Sequence, residues 1–130
     1  MPLFPIHRDD ESALFFDGTA RDEFLLIRDT TTGEYLDPMA DTSADPTRFD
    51  SVAASGTGTV VSWSIVHARG AEGPTQTVVG IVQFDEGPWW WGEFANFDPS
   101  ANLAGARVRV GFVDSGDGER DERTPIFYPA

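Results

Sequence analysis

A possible serine–histidine–aspartate arrangement is the first feature of this chain that could carry chemistry. Ser62 and Ser64 come shortly before His67, and Asp85 follows at the end of a later apolar run. Successive side chains of a strand alternate between its faces, so the two serines share one face while His67 lies on the other. The chain also lacks a GxSxG nucleophile motif. We therefore predict that His67 is a polar residue at a strand end, and we predict no catalytic residue.

Asp85 and Glu86 form a pair of adjacent carboxylates beside Gly87. Paired carboxylates can serve as general acid and base, but neighbours in a strand turn face different ways. Aspartate is common in such turns because its side chain caps the local backbone. The glycines Gly56 and Gly58 precede a predicted strand rather than a helix, so they do not form a phosphate-binding loop. We predict no cofactor-binding residue in either segment.

Trp89, Trp90 and Trp91 are the most informative residues of the chain. Alternation along a strand prevents all three from entering one interior. If Trp90 and Phe94 point inward, Trp89 and Trp91 face outward. Two interpretations remain open for the outward rings, since buried aromatic rings anchor both protein cores and protein interfaces. The N-terminal part of the chain covers them, or a partner protein binds them.

A second aromatic pair, Phe15 and Phe16, follows several acidic residues and precedes Gly18. Acidic residues at the start and glycine at the end are typical of a helix, here over about residues 10–17. The two rings need an apolar surface, which is either the body of the domain or another protein. We include Phe15 and Phe16 with Trp89 and Trp91 as candidate partner-binding residues.

The remaining pattern predicts a mainly β domain. A hairpin is expected over residues 23–36 around the turn DTTTG, followed by an aperiodic loop over 38–55. Alternating apolar segments then predict a five-stranded OB-fold barrel, with strands at about 57–68, 76–85, 88–97, 106–114 and 124–130. We divide the chain into residues 1–50, an N-terminal helix and hairpin, and residues 51–130, the barrel.

Composition narrows the range of partners. The 130 residues carry 22 acidic and 9 basic side chains, a net charge of −13, and the basic residues are all arginine. Such a negative field repels nucleic-acid phosphates, so we expect no nucleic-acid partner. The chain has no cysteine, no apolar run long enough to span a membrane and no signal-peptide pattern at its start. These features favour a cytoplasmic protein without a membrane partner.

Seven motifs occur in the order found in a known family. They are FFDG, FLLIRDTTTGEYLDP, GTGTVVSWSIVH, FDEGP, FDP, AGARVRVGF and TPIFYPA, from residue 15 to the C-terminus. In this order the chain resembles the acyl-CoA-associated proteins that join a rubredoxin-like zinc ribbon to an OB-fold, known as domain of unknown function 35 (DUF35). The resemblance implies the same two-part fold.

The chain departs from that family where zinc is bound. The family pattern CxxCG falls on Asp29 and Thr32 before Gly33, and the second cysteine pair falls near Thr42 and Asp45. Carboxylates and hydroxyls are poor substitutes for four thiolates around zinc. We therefore expect a degenerate, metal-free ribbon hairpin, with no zinc or other cofactor.

The resemblance implies a non-catalytic accessory or scaffold subunit of an acyl-CoA-processing complex. Members of the family accompany thiolase-fold enzymes or acyl-CoA hydratase-like proteins, including thiolases of the lipid-transfer-protein type, acyltransferases and aldolases of lipid or steroid side-chain breakdown. A hetero-oligomer with such a partner is therefore expected, with acyl-CoA at the shared interface.

Arg107 and Arg109 are the residues we associate with a coenzyme A phosphate. A partner carboxylate or solvent could equally face these two guanidinium groups. An alternative function is a stand-alone OB-fold module for single-stranded nucleic acid or a small ligand, which aromatic residues favour and the charge opposes. An enzyme in its own right is a weaker alternative, since no catalytic arrangement supports it.

Overall fold

The computed structural model describes residues 5–130 as a mainly β structure, in agreement with the sequence prediction. Residues 1–4 of the predicted N-terminal unit lie outside this range. One helix precedes eight strands: α1 (Ala13–Ala20), β1 (Leu25–Asp29), β2 (Tyr35–Leu36), β3 (Phe49–Ala53), β4 (Thr57–Gly70), β5 (Gly73–Phe84), β6 (Trp89–Phe94), β7 (Arg107–Asp114) and β8 (Arg123–Pro129). A short 3-10 turn at Pro46–Arg48 leads into β3. Within residues 5–130, no helix has the length and apolarity that crossing a membrane requires.

The N-terminal strands form a small sheet of order β2-β1-β3. The predicted hairpin is present as β1 and β2, with Gly33 in its turn at a φ of 76°. The prediction of a loop over 38–55 is wrong in its last part, because Phe49–Ala53 pairs antiparallel with β1. This strand shows no alternation in its sequence, and only pairing with β1 defines it. The small sheet therefore extends three residues past the predicted boundary at 50/51.

The five C-terminal strands close into a barrel of order β4-β5-β6-β8-β7, which confirms the predicted OB-fold architecture. β4 and β5 form a long antiparallel hairpin, and β6 and β8 meet in parallel at Phe94 and Phe127. Closure comes from β7, which pairs with the start of β4 at Thr57 and Thr59. From Val66 and Thr77 outward, where β5 no longer pairs with β6, the β4–β5 hairpin continues as a two-stranded arm.

The helix lies three residues later than predicted, at Ala13–Ala20. Gly18 does not end it, contrary to the prediction. A Cβ at Gly18 would lie 2.6 Å from Cγ of Leu25, so glycine permits close packing of α1 on β1. The helix ends at Ala20, where Asp22 takes a left-handed conformation with a φ of 60°.

An aromatic cluster joins the N-terminal part to the barrel. Phe24 lies between the two, with its ring centroid 4.5 Å from that of Phe84 and 5.5 Å from that of Trp90. Phe15 from α1 completes the contact at 5.3 Å from Phe24 and 5.4 Å from Trp90. All four side chains are buried. The helix, small sheet and barrel therefore share one hydrophobic core.

Truncation of Phe24 tests this shared core. The side chain is only 2% exposed, so Phe24→Ala leaves a cavity between α1 and the barrel. We expect a loss of about 3–5 kcal/mol in the free energy of unfolding, measured by urea denaturation. Leu14→Ala is the control, because Leu14 is 57% exposed on the same helix; its effect should stay within about 0.5 kcal/mol. Equal effects of the two substitutions would contradict a core that spans both parts.

Candidate functional site: an outward tryptophan face

The three tryptophans divide as strand alternation requires. Trp90 and Phe94 are buried, whereas Trp89 is 54% and Trp91 is 64% exposed. The register places Trp91 beside Ile81 and Trp89 beside Gln83 on the neighbouring strand β5. Neither the helix nor the small sheet covers the two outward rings. Their role in binding a partner stays a prediction.

Phe15 and Phe16 do not share this exposure. Their side chains are 6% and 8% exposed, and Phe15 packs against Phe24 and Trp90. Both rings therefore belong to the hydrophobic core, and their role in binding a partner stays a prediction. Their remaining exposed edges line a shallow apolar groove between α1 and β6.

A second apolar groove, here the outer groove, crosses β4, β5 and β6 on the outside of the barrel. Its volume is about 490 Å³. Val79 and Ile81 occupy its centre on β5, Ser62 and Ser64 flank it on β4, and Trp91 borders it on β6. Sequence analysis did not find this groove, because strand pairing alone brings these side chains together.

The Trp91 ring lies between the core and the outer groove. It stacks on the buried Trp90, with the ring centroids 4.4 Å apart and the planes inclined by 22°. One face of Trp91 is therefore covered by the protein itself. The rest of the ring is exposed to solvent beside the outer groove.

Arg107, a candidate for phosphate contact, already has an anionic partner. Its two terminal nitrogens donate to the two carboxylate oxygens of Asp85 at 2.7 and 2.9 Å, and one of them also donates to the hydroxyl of Thr59. These hydrogen bonds, with another from Thr57, hold the pKa of Asp85 well below its usual value. A phosphate at Arg107 would have to compete with this carboxylate. Asp85 therefore links β4 to β7 through Thr57 and Arg107, and its side chain does not cap its own turn.

Arg109 points to the same side of β7, as predicted, but has a different neighbour. Its guanidinium carbon lies 4.6 Å from the centroid of the Tyr128 ring, a cation–π contact across the β7–β8 pair. No carboxylate is recorded against Arg109 among the described residues. It is therefore the more available of the two arginines for an anion.

The structure keeps the members of the rejected triad apart. Ser62 and Ser64 pair with Ile81 and Val79 in the middle of β4, and His67 pairs with Gln76 farther out along the arm. Asp85 lies at the opposite end of β4, where its amide donates to the carbonyl of Thr57. Glu86 is also engaged, since its carboxylate accepts the amide of Ser55 at 2.6 Å. These residues form no catalytic cluster.

The barrel segment is similar to a domain of a known protein family. Residues 51–113 match the family model of the C-terminal OB-fold domain of ChsH2. This part of the barrel is similar to that OB-fold domain. This match confirms the resemblance drawn from the sequence motifs over that segment. A search among curated proteins finds no match.

A solved structure extends the likeness to nearly the whole chain. It is a chain of the Ltp2–ChsH2(DUF35) aldolase, with a TM-score of 0.77 and 19% sequence identity. The alignment covers 94% of this chain and 96% of that one. At this identity the likeness shows a shared fold.

The residues at the positions that the zinc-ribbon resemblance assigns to metal ligands do not fit a metal. Asp29, at the first position, directs both carboxylate oxygens to Arg48, at 2.9 Å from Nε and 2.7 Å from Nη2. Asp45, near the last position, accepts the hydroxyl of Thr47. No group of three or more potential ligands is assembled within residues 5–130. The chemistry of the donor set, carboxylate and hydroxyl with an arginine between, disfavours zinc.

The Asp29–Arg48 pair connects the two segments that zinc joins in the ribbon pattern. Asp29 ends β1 and is buried, and it also accepts the amides of Thr31 and Thr32 within the turn. The Arg48 carbonyl in turn accepts the amide of Thr30. Arg48 was not predicted from the sequence. Its only signal there is its position, three residues after Asp45, where the second cysteine pair of the family pattern ends.

We predict that Arg48→Gln lowers the melting temperature by several degrees at pH 7. Arg48 holds the pKa of Asp29 well below its usual value, so the pair stabilises the fold above the unfolded pKa of about 3.9 and loses that effect as the pH falls through the folded pKa. The difference between variant and wild type should thus be largest above about pH 4 and narrow below it. Arg69→Gln, on the hairpin arm, is the control. A difference that does not depend on pH would contradict this assignment.

Proposed function

We propose that this protein is a non-catalytic accessory subunit of an acyl-CoA-processing complex and binds a thiolase-fold or hydratase-like enzyme. The observation that carries the proposal is the likeness to the DUF35 chain of the Ltp2–ChsH2(DUF35) aldolase, with a TM-score of 0.77 over 94% of this chain. The family match of residues 51–113 supports the same reading. We place the complex in lipid or steroid side-chain metabolism and the protein in the cytoplasm.

The surface chemistry supports a binding role. Two tryptophans stay more than half exposed on one strand, where partner contact would remove a large apolar area from water. Among the described residues, the groups considered for catalysis are dispersed or engaged in ion pairs. Zinc is not part of the proposal, since Arg48 already neutralises Asp29.

We propose that Arg109, and not Arg107, contacts a phosphate of coenzyme A. Arg107 is held in two hydrogen bonds by Asp85, whereas Arg109 faces the Tyr128 ring. A phosphate can approach a stacked guanidinium from its edge, where the N–H donors lie.

The alternative of a stand-alone module for single-stranded nucleic acid has less support. Such modules combine stacking aromatic rings with a positively charged groove. The outer groove offers Trp91 but is lined by apolar and serine residues and by Glu93, without any arginine. The net charge of −13 opposes the same interaction.

Co-purification with a thiolase-fold protein encoded beside this one tests the proposal. We expect one hetero-oligomeric peak in size-exclusion chromatography, with acyl-CoA turnover only when the thiolase-fold protein is present. Metal analysis of the same peak should find no zinc bound to this chain in stoichiometric amount. Separate elution of the two proteins, together with a shift of labelled single-stranded oligonucleotide, would favour the alternative instead.

A further inference from the structure

The outward side of β4, β5 and β6 is an apolar face that stays exposed among residues 5–130. Its described side chains around the outer groove are Val66, Val79, Ile81, Trp89 and Trp91, with serines at its β4 border. Val66 is 43% exposed, and both tryptophans are exposed further. These side chains lie on one face of the sheet, from the arm of the β4–β5 hairpin to the start of β6.

Acidic residues outnumber basic ones on this chain by 22 to 9. Among the described residues that line the outer groove, one is charged, the carboxylate of Glu93, and none is arginine. Elsewhere within residues 5–130, five arginines form ion pairs with carboxylates of the chain itself: Arg8, Arg21, Arg48, Arg107 and Arg123. A chain of net charge −13 therefore offers a binding partner an apolar strip in a negative field.

The exposed face of Trp91 is suited to a cation. Trp90 covers the opposite face and fixes the ring plane by stacking at 4.4 Å. Tryptophan has the strongest cation–π interaction of the aromatic side chains, and arginine is its commonest partner. The same stacking mode occurs within this chain, where Arg109 lies 4.6 Å from the Tyr128 centroid.

We propose that the outer groove binds a basic protein surface, with a guanidinium group stacked on Trp91 and aliphatic side chains placed against Val79 and Ile81. This inference rests on the proposed function, since the surface belongs to the thiolase-fold or hydratase-like partner. Charge complementarity selects such an occupant. A second copy of this chain is disfavoured, because each copy would bring its own charge of −13 to the interface.

The test compares Trp91→Leu, Trp91→Phe and Ile81→Glu in association with the thiolase-fold partner, measured by calorimetry. Trp91→Leu keeps an apolar side chain but removes the aromatic face, and we expect the Kd to rise about ten-fold or more. Trp91→Phe should restore part of the affinity, because it keeps an aromatic face. Ile81→Glu should abolish association, because it places a charge in the apolar centre of the groove.

Met39→Ala is the matched control, since Met39 is 48% exposed in the N-terminal part, away from the outer groove. It should leave the Kd unchanged, and circular dichroism should show native barrels for every variant. Raising the salt concentration from about 0.05 to about 0.5 M should weaken the wild-type complex, because it screens the charge interaction.

The outcomes separate the two proposals. If the wild-type chain does not associate with the partner, the proposed function fails. Alternatively, the wild-type chain associates while Trp91→Leu binds as tightly as wild type, or while salt has no effect on the Kd. Either result would show that no guanidinium group of the partner stacks on Trp91. The assignment of the outer groove would then be overturned while the accessory role stands.

Discussion

Burial of Trp90 is the constraint on which the rest of the structure depends. Its ring meets Phe15 from the helix and Phe24 from the segment before β1, so one side chain connects three parts of the chain. Because strand neighbours alternate, fixing Trp90 inward directs Trp89 and Trp91 outward. The same contacts that stabilise the fold thus create its exposed aromatic face.

Two arginine–aspartate ion pairs connect segments that are distant in the chain. Asp85 and Arg107 join the two strands that close the barrel, where the ladder between β4 and β7 is short. Asp29 and Arg48 join the end of β1 to the 3-10 turn before β3. In the ribbon pattern a metal serves this second purpose. A guanidinium can replace it because it provides both a positive charge and directed donors for a carboxylate.

These ion pairs also shape the outer surface. The chain has 22 acidic residues and only 9 arginines, so negative charge stays in excess even when arginines form ion pairs within the chain. The open tryptophan face lies in that negative field. In the role proposed above, this face binds a basic surface of a partner protein. Among the described residues, the groups considered for catalysis lie apart from one another.

The sequence alone determined the strand periods, the tight turns and the alternation of the three tryptophans, because these features depend on neighbouring residues. It also identified the barrel through the order of motifs. Its composition also excluded cysteine ligands. Only the tertiary structure decided what depends on contacts distant in the chain. Strand β3 forms by pairing with β1. Phe15 is a core residue because it packs on Trp90, and Arg107 meets Asp85 only in the closed barrel. No local pattern encodes such pairings, because their partners are set by the register and packing of the whole fold.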